Sequence, residues 1–171
     1  MKALIIVADG VEDLEFFYPF YRLQEQDITV DVAGPHSGTV TGKHGYSIGT
    51  KIPLAGAKLD GYDLVILPGG KAPEILRNHP EVIDLVRHSL QDGRLVASIC
   101  HGAQILVSAK VLAGRKATCY KGIKDDIIAA GAEYRDEPVV VDGNLITSRM
   151  PDDLPYFCRE IFRAVEAVSL R

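Results

Sequence analysis

The residues best suited to chemistry lie in Leu95-Val96-Ala97-Ser98-Ile99-Cys100-His101-Gly102, where a short apolar run ends at a thiol and an imidazole. A buried strand that turns sharply into a helix at a Cys has the layout of a nucleophile elbow, with Cys100 as nucleophile and Ser98 in place of the first glycine. The turn crowds the positions two before and two after the nucleophile, so small residues such as Ser98 and Gly102 are needed there. Unpaired N–H groups at a helix start favour thiolate, so Cys100 is expected to titrate well below the ~8.5 of a free thiol. Cys119 and Cys158 lack this setting and read as structural.

Three further features could converge on that sulfur. Leu67-Pro68-Gly69-Gly70 ends another apolar run, and the amides of Gly70 and His101 could point at a developing oxyanion. Asp9, Glu12, Asp13 and Glu15 follow the first apolar run. They are either helix caps and dipole partners or include one carboxyl that points back at Cys100, which would then be protonated because two anions in one crevice repel. His101 either moves protons directly or orients another group, since neighbouring side chains often diverge. His36, His44, His79 and His88 show no ligand spacing, and no metal site or cofactor is indicated. Gly38-Thr39-Val40-Thr41-Gly42-Lys43-His44 is one residue short of a P-loop and lacks its terminal Ser/Thr.

The elements that must carry these groups follow from apolar patterning. Ala3–Ala8, Ile28–Ala33, Leu64–Leu67 and Leu95–Ile99 are short, nearly continuous apolar runs, the pattern of parallel strands buried on both faces. Helices are expected over Leu14–Gln26 (with Pro19 as a possible kink), Pro80–Gln91, Gly102–Ala109 and Ile123–Ala130. A last helix carries Leu154, Phe157, Ile161, Val165 and Val168 on one face, with Asp152 or Asp153 as its cap. Val139–Val141 and Leu145–Thr147 flank the hairpin signal Asp142-Gly143-Asn144, and Thr39–Ile48 reads as a β excursion. Strand–helix alternation implies βαβ units, one α/β sandwich domain over residues 1–171, and function at the strands' carboxyl ends.

Composition narrows the function. The chain has 171 residues, 47% hydrophobic and 25% charged, with a net charge of −4 and scattered Lys and Arg, so no footprint for nucleic acid or an anionic membrane is present. No apolar run approaches the ~18–20 residues of a membrane span. Three cysteines without C-x-x-C spacing argue against a disulfide scaffold or structural zinc. With no signal-peptide pattern at the start, a reducing cytoplasm is expected.

Five segments in order give the chain a specific likeness. They are Thr41-Gly42-Lys43-His44-Gly45-Tyr46, Leu67 to Glu74, Val96 to Gly102, Gly122-Ile123-Lys124-Asp125-Asp126 and Ser148 to Leu154. Together they resemble the PfpI branch of the ThiJ/PfpI superfamily over essentially the whole chain. The resemblance implies a flavodoxin-like three-layer sandwich with a mostly parallel sheet, akin to the class I glutamine amidotransferase domain. It implies Cys100 as nucleophile, His101 as its partner, Glu15 against the sulfur and Tyr120 lining the pocket. It also implies Glu74 as a third catalytic carboxylate lent to a neighbouring subunit's His101, in dimers or hexamers. The expected activity is a cysteine-dependent hydrolase acting on reactive carbonyls or glycated adducts, of deglycase or glyoxalase type and serving stress protection. An intracellular peptidase is the alternative, and a redox sensor or chaperone using Cys100 oxidation is the reading from another class.

Overall fold

The computed structural model describes residues 1–55 and 57–169. Its strands are β1 (Lys2–Ile6), β2 (Thr29–Gly34), β3 (Gly38–Thr41), β4 (Ser47–Thr50), β5 (Ile52–Pro53), β6 (Leu64–Leu67), β7 (Leu95–Ile99), β8 (Lys116–Ala117), β9 (Glu133–Tyr134), β10 (Val139–Asp142) and β11 (Leu145–Ser148). Its helices are α1 (Asp13–Glu25), α2 (Ala72–Leu76), α3 (Pro80–Gln91), α4 (Ala103–Ala109), α5 (Lys124–Ala129) and α6 (Leu154–Ser169).

Seven strands form one sheet in the order β10-β11-β7-β6-β1-β2-β5, parallel except for the β10–β11 hairpin. All residues of β6 and β7 are buried, as continuous apolar runs covered on both faces require. Helices α1 and α6 pack together on one face, while α2, α3 and α4 pack together on the other. This is the expected mostly parallel, three-layer flavodoxin-like sandwich.

From β1 the chain steps outward to β2, then returns to the other side of β1 to make β6 and, beyond it, β7. The direction of winding therefore reverses between β1 and β6. A crevice opens at the carboxyl ends of strands at such a reversal. The loop after β1, the Pro68-Gly69-Gly70 turn after β6 and Cys100 after β7 all meet there. Register ties them together: Ile5 pairs with Ile66, and Leu67 pairs with Ser98.

Helix α1 buries Glu15, Phe16, Pro19 and Leu23, and Pro19 does not interrupt it. Among the described residues, no hydrogen bond from an α6 amide to Asp152 or Asp153 is found. The chain enters through a 3-10 turn, Pro151–Asp153. Asp153 is buried and accepts hydrogen bonds from Arg149 Nε (2.9 Å) and Nη2 (3.2 Å), so its carboxylate serves an ion pair rather than the helix amides. Val168, expected on the apolar face, is 40% exposed because the last turns of α6 run past the core.

Candidate active site

Cys100 has φ +60°, a left-handed conformation that costs a non-glycine residue of order 1–3 kcal/mol and persists only where the surroundings enforce it. The enforcing contacts are tight. A Cβ on Gly102 would lie 2.3 Å from the Leu67 carbonyl oxygen and 2.8 Å from Ser98 Oγ. The small residues on either side of the nucleophile are thus a steric requirement. A 3-10 turn, Cys100–Gly102, precedes the short helix α4.

The Cys100 side chain is nearly buried, with 8% exposure, whereas Cys119 and Cys158 are at 0% and 1%. The backbone amides of His101 and Gly70 both pull the Cys100 thiol down, so both face the sulfur. His101 folds back rather than diverging, and its Nδ1 lies 3.3 Å from Sγ. Its imidazole stacks on the Tyr120 ring, with centroids 4.8 Å apart and planes 27° from parallel. Tyr120 is held there by its N–H, which donates to the Cys100 carbonyl at 3.3 Å.

Glu15 is the one carboxylate of the four that reaches the sulfur. It is fully buried, and its Oε2 accepts the Gly69 N–H at 2.7 Å while Oε1 has no hydrogen-bond partner. Burial pushes its carboxyl up to about 7 against the pull of the Gly69 amide and of Cys100. Gly69 is a glycine because the pair leaves no room for more: a Cβ would sit 2.6 Å from Glu15 Oε2, 2.8 Å from Cys100 Cβ and 2.9 Å from the His101 nitrogen.

The thiol does not follow the expectation of a value well below 8.5. Burial, and next the negative charge of Glu15, push Cys100 up to about 12, against the pull of the His101 and Gly70 amides. Removing a sulfur from water outweighs the His101 amide in the 3-10 turn before α4 and the Gly70 amide in the turn after β6. Glu15 and Cys100 are a coupled pair, so the first proton lost belongs to both. His101 is lowered, by burial first and then by the charge of Lys43.

The other carboxylates do structural work that the sequence did not reveal. Asp13 accepts the His44 and Tyr46 amides at 2.7 and 3.2 Å, and Asp9 accepts the Thr41 amide at 2.8 Å. They clamp the β3–β4 hairpin over the crevice. Glu12 takes Lys43 Nζ at 3.6 Å and His44 Nε2 at 3.2 Å, so His44 is part of this mouth rather than a free surface imidazole. The Lys43 N–H donates to the Val11 carbonyl, and Val11 bridges Gly70. Gly70 itself has φ +75°, and a Cβ there would lie 2.3 Å from the Gly10 carbonyl oxygen.

Glu74 stands apart. It is exposed on α2, and among the described residues no hydrogen bond or ion pair links its carboxylate to His101. Within one chain the site comprises Cys100, His101, Glu15, Gly69, Gly70 and Tyr120.

Comparison with known proteins agrees with this fold. The model of the DJ-1/PfpI family matches residues 1–164. A Pyrococcus furiosus protein named deglycase PfpI is 45% identical over 166 residues, covering 97% of this chain and all of that one. A Bacillus subtilis protein whose name suggests a cysteine protease, YraA, is 35% identical over 160 residues, covering 93% of this chain and 95% of its own length. Among solved structures, Drosophila melanogaster DJ-1beta superposes with a TM-score of 0.88 at 34% identity, covering 94% of this chain and 87% of that one. No helix among the described residues is long and apolar enough to cross a membrane.

Proposed function

The chain belongs to the DJ-1/PfpI family, and from that membership, the relatives named deglycases and the Cys100 site we propose that it is a cysteine-dependent enzyme acting on reactive carbonyls or their adducts on proteins. The observation that carries the reading is the strained Cys100, its sulfur 3.3 Å from His101 Nδ1 and beside a buried Glu15 whose Oε1 lacks a partner. A fully buried ionised carboxylate with a single amide donor is poorly compensated. A protonated Glu15 donating to the sulfur satisfies Oε1 and leaves the negative charge on the larger, two-amide-bonded thiolate.

In this mechanism the Cys100 thiolate adds to an aldehyde carbon, and the carbonyl π electrons move to oxygen beside the Gly70 and His101 amides. With a 2-oxoaldehyde, His101 removes the proton from the carbon that carried the aldehyde and returns one to the neighbouring carbon, converting the hemithioacetal to a thioester. Water then cleaves the thioester to a 2-hydroxy acid and restores the thiol. A hemithioacetal or aminocarbinol adduct collapses to its free thiol or amine and the 2-oxoaldehyde, the adduct hydroxyl giving up its proton as the C–S or C–N bond breaks, and Cys100 takes the aldehyde through the same steps.

Incubating the purified protein with methylglyoxal, a methylglyoxal-modified thiol and an unfolded protein substrate tests the reading. Lactate formation and adduct release are expected while the polypeptide stays intact. Peptide cleavage without carbonyl turnover would overturn it in favour of a cysteine peptidase, the activity suggested by the name of the Bacillus subtilis relative.

We further propose self-association that brings Glu74 to a neighbour's His101, since no carboxylate of the same chain is hydrogen-bonded to that ring among the described residues. Exposed Glu74 and Ile75 (40% exposed) on α2 support an interface there. Inactive Cys100→Ser and Glu74→Ala subunits, mixed under exchange conditions, are expected to regain measurable turnover because a mixed interface pairs an intact Cys100 with an intact Glu74. Hybrids seen by native mass spectrometry that stay as inactive as the parents would rule this out. Three unpaired cysteines favour a reducing, cytoplasmic setting.

A further inference from the structure

Gly122 occupies a position where neither backbone nor packing against the core asks for glycine. It lies in the 3-10 turn Lys121–Ile123, is exposed, and its φ is outside the left-handed region. At such a position alanine ordinarily stabilises a fold, because it restricts the unfolded chain at no cost to the folded one. The three nearest atoms a Cβ would meet here all belong to one ring. A Cβ on Gly122 would lie 2.8 Å from Tyr120 Cε1 and 3.1 Å from Cδ1.

That is the ring stacked on His101. We infer that Gly122 is a positioning residue: by lacking a side chain it lets the Tyr120 ring lie against the His101 imidazole, and so fixes the orientation in which Nδ1 meets the Cys100 sulfur. The Tyr120 backbone cannot yield easily, since its N–H donates to the Cys100 carbonyl and its carbonyl accepts the Ile123 N–H at 3.0 Å. The half-buried ring can, by turning about its side-chain torsions. A methyl at position 122 therefore acts two residues away, by pushing Tyr120 off the imidazole. With the stack lost, His101 keeps the wide torsional freedom of a ring about its sp³–sp² bond, and the 3.3 Å contact to Sγ becomes one arrangement among several.

The inference rests on the reading of Cys100 as nucleophile with His101 as its partner. It is tested on Gly122→Ala, Tyr120→Ala, the double variant and Tyr120→Phe, with the His101 ring protons followed by NMR titration in the absence of substrate. Gly122→Ala is expected to lower kcat/KM for methylglyoxal by about tenfold, the scale on which small misplacements of a reacting group act. Its melting temperature should be equal to or above that of the wild type. The His101 titration should move up towards that of an exposed imidazole, because burial holds it down. Tyr120→Phe, which keeps the ring, should keep the wild-type titration. In the Tyr120→Ala background, adding Gly122→Ala should change neither the titration nor kcat/KM, since the two substitutions act through one contact.

An unmoved His101 titration in Gly122→Ala would overturn the inference, as would an equal loss in the Tyr120→Ala background. Turnover surviving in Cys100→Ser would instead refute the nucleophile reading, and the substrate-free titration would still decide the role of Gly122.

Discussion

Cys100→Ser is expected to lower kcat/KM for methylglyoxal by roughly 10³-fold or more, the scale seen when a nucleophile is deleted, with stability changed by no more than about 1 kcal/mol. A serine hydroxyl fits the same elbow and accepts the same His101 and Gly70 amides, but it does not ionise at any working pH. The chemical step is therefore lost and the architecture kept. Iodoacetamide gives an independent readout in the wild type. One thiol, that of Cys100, should be consumed ahead of Cys119 and Cys158, which are more deeply buried and, among the described residues, have no imidazole at hydrogen-bond distance. Its rate should climb as pH rises and the Glu15–Cys100 pair sheds its protons. Three thiols reacting alike, or a serine variant within tenfold of wild type, would remove Cys100 from the chemistry.

Different physical signals made different parts of this molecule legible. Strands β6 and β7 were readable to the residue because burial on both faces demands unbroken apolar runs. The two-residue strands Ile52–Pro53, Lys116–Ala117 and Glu133–Tyr134 were not, since two ladder positions impose no pattern on composition. Helix α2 shows no periodicity for a similar reason, being five residues after a Pro-Gly-Gly turn, and only Pro73 and the acidic Glu74 in its first turn mark it as helix. The elbow was legible from the types of Ser98, Cys100 and Gly102, whose spacing is a steric demand of the turn.

The site's electrostatics were less accessible. Helix polarity suggested a low thiol, and only the three-dimensional environment shows how far burial and Glu15 oppose it. A signal did exist for singling out Glu15. It heads the stripe Glu15, Pro19, Leu23, spaced by four residues and buried throughout, so a carboxylate stands on the apolar face of α1. Asp9 and Asp13 gave no such hint, because their partners are amides of a hairpin some thirty residues distant. Gly122 was visible only as part of a motif. Its reason, a tyrosine ring two residues back, is a matter of side-chain direction that residue spacing does not encode.

Glu15 also links stability to pH, and its two conservative replacements separate charge from contact. A carboxyl at about 7 in the fold and near 4.5 when unfolded binds its proton more tightly folded. It therefore favours the fold fully below about pH 4.5, and that contribution fades as pH rises and is gone above about 7. The difference amounts to on the order of 3 kcal/mol. Glu15→Gln cannot ionise, so relative to wild type it should gain stability between pH 4.5 and 8, measured by denaturant unfolding at both ends. Glutamine also keeps an acceptor for the Gly69 N–H and a donor for the sulfur, so it should retain a substantial share of turnover. Glu15→Leu keeps the volume and neither bond. It leaves the Gly69 amide unpaired in a buried site, a cost of about 1–3 kcal/mol, and strips the thiolate of its nearest donor, so turnover should fall at least tenfold below that of the glutamine variant. A stability difference between wild type and Glu15→Gln that does not vary with pH would mean that Glu15 titrates as an exposed carboxyl, and equal activity losses in both variants would mean that its contact with the sulfur has no part in the reaction.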